Sequence, residues 1–186
     1  MRPAVFLDRD GVLNGLVTRN DRLVSPRSID QFHLLPDVPD AVARLKNHGL
    51  LIVVVTNQPD IARGWMSLEE LETIHAHLRS AVLVDAIYTC CHDDADNCSC
   101  RKPKPGLLIQ ASREMEIDLS RSYMIGDSGK DIDAGQRAGC KTFLIQDPSV
   151  CSEIFADVIV TSLQAAVDLI ARDFSTLRGH EGGWTP

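Results

Sequence analysis

At 186 residues, with 44% hydrophobic and 24% charged side chains, the chain suits one globular domain with a sizeable core and is too short for two comfortable ones. Its formal net charge of −7 excludes a general role on nucleic-acid backbones or anionic membranes, so an anionic ligand needs a locally basic site. The longest apolar stretch, Leu50 to Val55, is far too short to span a bilayer, and no basic segment followed by an apolar signal core opens the chain. These features lead us to expect a soluble, cytoplasmic monomer.

Taken in chain order, Ala4 to Leu7 reads as a buried strand that runs directly into Asp8-Arg9-Asp10-Gly11. Gly15 to Leu34 has no clear period, holds Pro26, and reads as a flap or irregular hairpin. Val38 to Asn47 has helical period, with Asp37 placed to cap it and Gly49 to stop it. The second strand, Leu50 to Thr56, precedes a helix over Leu68 to Leu83, which Ser67 and Glu70 introduce in a capping-box arrangement. Strands at Ala86 to Thr89, Ser122 to Ile125 and Thr142 to Ile145 then alternate with helices at Gly106 to Met115, Lys130 to Ala138 and Leu163 to Arg172. This alternation predicts an α/β fold: a three-layer αβα, Rossmann-like domain over residues 1–173 with a mainly parallel sheet. Neither Gly15 to Leu34 nor Trp65 to Cys100 has spare length for a separate cap domain, and residues 174–186 are expected to form a loosely held tail.

The chemistry gathers at predicted strand ends, where open α/β sheets bind ligands. Residues two apart in extended chain face the same side, so Asp8 and Asp10 can converge there, and Gly11 permits a sharp exit. Two carboxylates suit phosphoryl transfer, one as nucleophile and one as acid and base; alternatively the string is an acidic strand-to-turn junction. Thr56-Asn57-Gln58 offers a hydroxyl and two amides to a phosphate, or is a polar turn. Arg101-Lys102-Pro103-Lys104 concentrates positive charge in an otherwise acidic chain, unless it is a solvated basic turn. Asp127 adds a carboxylate for a magnesium site, while Asp131 either joins it or caps the following helix.

Cys90-x-His92 and Cys98-x-Cys100 offer three thiolates and one imidazole at the paired spacing of a closed, structural zinc site over residues 90–100. The acidic insert Asp93, Asp94, Asp96 argues against a nucleic-acid-binding knuckle. Arg101 and Lys102 follow the last ligand, so zinc would aim both cations. Cys91 neighbours the set and is read as spare, Cys140 and Cys151 as ordinary apolar residues, and the remaining histidines, His75 among them, as surface or packing residues.

Taken together, FLDRDGVLN, VVVTNQ, IARG, the CxH and CxCRKPKPG segments and GDSGKD resemble the haloacid-dehalogenase (HAD) superfamily of phosphatases, over roughly Pro3 to Ile145. More narrowly, they are similar to its heptose-bisphosphate phosphatase branch, which shares ancestry with histidinol-phosphatase domains. The resemblance implies Asp8 as nucleophile and Asp10 as acid and base, with Asp8, the Asp10 carbonyl and Asp127 on magnesium. Thr56 and Lys102 would steady the phosphoryl group, and Asn57, Gln58, Arg63 and Arg101 would contact a small phosphorylated sugar, Arg101 clamping a second phosphate. Pro59-Asp60, Cys91 and Ser128 depart from the common pattern of the heptose enzymes, which leaves a histidinol-phosphate phosphatase as the alternative. A response-regulator-like phosphoacceptor module is the reading from another class.

Overall fold

The computed structural model describes residues 1–146 and 153–181, with side chains as far as residue 174. Six strands form one sheet: β1 (Ala4–Leu7), β4 (Leu51–Asn57), β5 (Ala86–Cys90), β6 (Tyr123–Gly126), β7 (Lys141–Ile145) and β8 (Val158–Val160). They lie in the order β5-β4-β1-β6-β7-β8, and every neighbouring pair is parallel. A two-stranded antiparallel hairpin, β2 (Val17–Arg19) and β3 (Arg22–Val24), stands apart as the flap.

Period-two alternation along the central strands builds the layers. Val5, Leu7, Ile52 and Val54 face one way, towards α1 (Val38–Asn47), α2 (Leu68–Ala81) and α5 (Leu163–Glu181). Ala4, Phe6, Val53 and Val55 face the other way, towards α3 (Gly106–Met115) and α4 (Gly129–Ala138). Leu45, Ile74 and Leu108 are wholly buried in these two cores, where truncation of a leucine to alanine costs about 2–5 kcal/mol. The expected three-layer fold is the fold observed.

Some boundaries differ. Asp37 occupies the position before α1 but makes no side-chain cap bond. Ser67 caps α2 by accepting from the Glu70 amide, while Glu70 turns its carboxylate to the flap and accepts from the Ile29 amide at 2.6 Å. Helix α2 ends at Ala81 because Val82 turns extended, two residues before the expected end. Strand β8 is too short to announce itself by pattern, and α5 runs to Glu181, past the expected end at Arg172 and into the segment read as a loose tail. Cys151 and residues 182–186 lie outside the described residues.

Candidate active site

Because β4, β1 and β6 are neighbours, their C-terminal ends place Thr56, Asp8 and Asp127 side by side. The Asp8 amide donates to the Ile125 carbonyl at 3.0 Å, which ties the first aspartate to the strand that delivers the second. One oxygen from each of Asp8, Asp127 and Asp131 lies within 4.8 Å of the others. Asp131 caps the following helix, one of the two roles the sequence allowed, and stands in the carboxylate group as well. One oxygen caps α4 by accepting from the Ser128 amide and hydroxyl, and the other meets Lys102.

Two glycines make this crowding possible. Gly11 has φ +91°, and a Cβ there would sit 1.9 Å from Asp127 Oδ2. A Cβ on Gly126 would meet Asp131 Cβ at 2.2 Å.

Lys102 is 2% exposed, and its ammonium donates to Asp8 at 2.7 Å, to Asp131 at 2.5 Å and to the Val55 carbonyl at 2.8 Å. Asn57 spends both ends of its amide on the Lys102 backbone, donating to its carbonyl at 3.0 Å and accepting from its amide at 3.1 Å. Its first task is thus to seat Lys102, although it also lines the cavity.

Two buried carboxylates, Asp8 and Asp131, share one ammonium, and the half-buried Asp127 stands beside them. Burial, with Asp131 and Asp10 adding to it and Lys102 opposing, pushes Asp8 up to about 8. Burial and then Asp131 push Asp127 up to about 6. Such a surplus of buried negative charge, presented on hard oxygens, fits a divalent cation.

Asp10 reaches the same cavity of about 410 Å³ but is held from the side. It accepts from Arg9 Nε and Nη2 at 3.0 Å each, Asn14 Nδ2 at 3.0 Å and Gln58 Nε2 at 2.7 Å. Gln58 also donates to Thr56 Oγ1 at 2.8 Å, so the residue expected at the substrate orients the two beside it.

Strand β5 brings the cysteine segment to this edge. The Gln58 amide donates to the Cys90 carbonyl at 2.7 Å, and the chain loops out and returns as Arg101 and Lys102. The Sγ atoms of Cys90, Cys98 and Cys100 lie 3.3–3.6 Å apart, with His92 Nδ1 3.7 Å from Cys90 and 3.3 Å from Cys100. Zinc–sulfur bonds of about 2.3 Å at tetrahedral angles separate sulfurs by about 3.8 Å, so four donors this close fit the ion. Cys91 packs against the hydrophobic core.

The acidic insert grips both expected substrate arginines. Asp93 accepts from Arg63 at 2.6 and 2.7 Å, which holds its carboxyl down at about 2, and Asp94 accepts from Arg101 at 2.7 Å. Arg101 lines the Asp8 cavity together with Lys130, a cation the sequence reading passed over. Arg63 instead lines a neighbouring hollow of about 230 Å³. There, Arg27 lies 4.5 Å and Arg63 5.4 Å from the Trp65 ring centre, so Trp65 is a platform for guanidinium groups.

Comparison with known proteins places this geometry. A HAD-hydrolase-like family model matches residues 99–174. The D-glycero-beta-D-manno-heptose-1,7-bisphosphate 7-phosphatase of Pseudomonas aeruginosa is 38% identical over 150 residues, which cover 78% of this chain and 82% of that protein. The enzyme of the same name from Haemophilus ducreyi is 36% identical over 188 residues, covering 91% and 97%. The chain belongs to this family of HAD phosphatases. It is accordingly a phosphoric monoester hydrolase. The crystal structure of the D,D-heptose 1,7-bisphosphate phosphatase from B. bronchiseptica, complexed with magnesium and phosphate, superposes with a TM-score of 0.77 at 31% identity, covering 93% of this chain and 99% of that one.

Arg9 and Asn14, which bond Asp10, and His75, which bonds Arg9, were not singled out from the sequence. A signal existed for two of them. Continuing the alternation of the first strand puts Arg9 in line with the buried Val5 and Leu7, and His75 sits four residues after Leu71 on the buried stripe of α2.

Proposed function

We propose that this phosphatase removes the 7-phosphate from D-glycero-D-manno-heptose 1,7-bisphosphate. Two relatives of that name at 36–38% identity support the substrate. The observation that carries the chemistry is Asp8, at the end of β1, gathered with Asp127 and Asp131 around the Lys102 ammonium. Asp8, the Asp10 carbonyl and Asp127 would hold magnesium, whose charge lowers the cost of bringing a carboxylate up to a phosphate. The fold's relative with bound magnesium and phosphate supports this choice of cation.

An Asp8 oxygen attacks phosphorus, the bond from phosphorus to the sugar oxygen breaks, and Asp10 gives that oxygen its proton. Asp10 then takes a proton from water as the water oxygen attacks the aspartyl-phosphate, releasing inorganic phosphate and restoring both aspartates. Lys102 and Thr56 steady the phosphoryl oxygens in transit. Arg101 meets the second phosphate with its fork, Asn57 and Arg63 complete the substrate contacts, and Gln58, expected there from the sequence, orients Asp10 and Thr56 instead. Cys90, His92, Cys98 and Cys100 hold a structural zinc that shapes the loop carrying Asp93 and Asp94, and through them the two arginines.

Turnover of both heptose bisphosphate anomers and of histidinol phosphate, measured side by side, tests the assignment. A clear preference for a heptose bisphosphate is expected, and faster hydrolysis of histidinol phosphate overturns it. The acceptor of a response-regulator module sits on the third strand, whereas Asp8 follows the first, and family membership removes the need for that reading.

A further inference from the structure

Arg9 is fully buried, the largest side chain in the molecule to be so among the described residues. Two of its nitrogens bond the two oxygens of Asp10. The third, Nη1, lies 3.2 Å from Nε2 of His75, a residue of α2 only 4% exposed and 66 positions away in sequence. A guanidinium has donors and no acceptor, so the imidazole nitrogen must be the acceptor and the ring proton must sit on Nδ1. Burial, then Arg9, lowers the His75 pKa to about 4, which keeps the ring neutral and able to accept at neutral pH.

This arrangement fixes more than a charge. Two parallel bonds from a planar fork stop the Asp10 carboxylate from rotating, and the third bond fixes the plane of the fork itself. Asn14 and Gln58 complete the cage around the same carboxylate. Neither Arg9 nor His75 needs to be polar for the fold, since a hydrophobic pair of similar volume in their place would avoid the desolvation of a buried guanidinium.

We infer that His75, acting through Arg9, is a positioning residue that sets the angle at which Asp10 delivers its proton to the leaving oxygen. The inference rests on the reading of Asp10 as acid and base. It predicts a loss that depends on the leaving group, because an alkoxide needs that proton and a nitrophenolate departs without it. A residue that merely supports the fold would slow both kinds of ester alike.

The test is single-turnover release of the leaving group, with enzyme in excess, from an alkyl phosphate and from 4-nitrophenyl phosphate; this isolates transfer to Asp8 from the later attack of water. His75→Phe should slow the alkyl ester by about tenfold or more and the nitrophenyl ester by less than about twofold. His75→Gln, whose amide oxygen can accept from Nη1, should regain most of the alkyl rate. Equal slowing of both esters, no slowing, or a glutamine variant as slow as phenylalanine overturns the inference. Asp10→Asn serves as the control: if it shows no leaving-group selectivity, the reading of Asp10 has failed rather than the role of His75. Should His75→Phe not fold, Arg9→Lys is read by the same comparison, since one ammonium cannot hold both carboxylate oxygens and the imidazole in a single plane.

Discussion

Lys102 donates to Asp8 at 2.7 Å across 94 positions of sequence, inside a pocket where the lysine is 2% and the aspartate 9% exposed. The same ammonium holds Asp131, so Asp8 and Asp131 are kept together by the cation between them. Burial alone pulls the lysine down, but Asp131 and then Asp8 more than offset this and raise it, so it stays charged throughout the working range. Lys102→Met should therefore lower turnover by about 10²-fold or more and cost on the order of 3–5 kcal/mol, because two buried carboxylates lose their partner. Urea unfolding with and without magnesium checks the cause, since added magnesium should restore part of the loss.

With Asp8 and Asp127 as the proposed magnesium ligands, protons and the cation compete for the same oxygens. Both folded-state values are raised, to about 8 and about 6, chiefly by burial, so acidification protonates the ligands that the cation needs. The magnesium concentration giving half-maximal activity should rise by about tenfold or more between about pH 7.5 and pH 5.5. A concentration that stays flat over that interval would show that these carboxylates do not hold the ion.

Gly11→Ala combines two faults, a side chain at φ +91° and a Cβ 1.9 Å from Asp127 Oδ2. The variant should lose more than about 1 kcal/mol of stability and bind magnesium poorly, because Asp127 is the atom group that must move. Comparing the magnesium dependence of its turnover with that of wild type separates this local displacement from general loss of folded protein.

On the proposed zinc assignment for the cysteine loop, stripping the ion should act on the arginines and not on the nucleophile. Without an ion, Cys90, His92, Cys98 and Cys100 no longer fix the segment from which Asp93 holds Arg63 and Asp94 holds Arg101. The expected outcome is a raised KM for a bisphosphate with a smaller change in kcat, alongside a lower thermal midpoint. Metal content of the native protein, followed by kinetics after chelation and zinc return, decides this.

The strand ends of the site were legible in the sequence because the fold's own rule puts chemistry there: an apolar run followed at once by Asp8, Thr56 or Asp127 names a strand and its cargo together. What was not legible lies in pairings between distant segments. Arg63 is the arginine of IARG, yet its partner Asp93 comes from the cysteine loop 30 residues on. His75 lacks an acidic or thiol neighbour at ligand spacing, and only the fold, which brings α2 to the turn after the first strand, supplies Arg9. Strand β8 failed for a different reason, since Val158–Val160 is three residues long and half exposed at the sheet edge, too little for a period to show.

The same buried imidazole makes a prediction about stability. His75 falls from an ordinary 6.5 to about 4 on folding, so between those values the unfolded chain binds a proton that the folded chain refuses. Stability therefore rises with pH through this window and is lost as pH falls from about 6.5 towards 4, by on the order of 3 kcal/mol from this group alone. Other carboxylates titrate nearby, so the informative quantity is a difference: the slope of unfolding free energy between pH 4.5 and 6.5 should be shallower in His75→Gln than in wild type. Identical slopes in the two proteins would mean that the ring is not held neutral against Arg9.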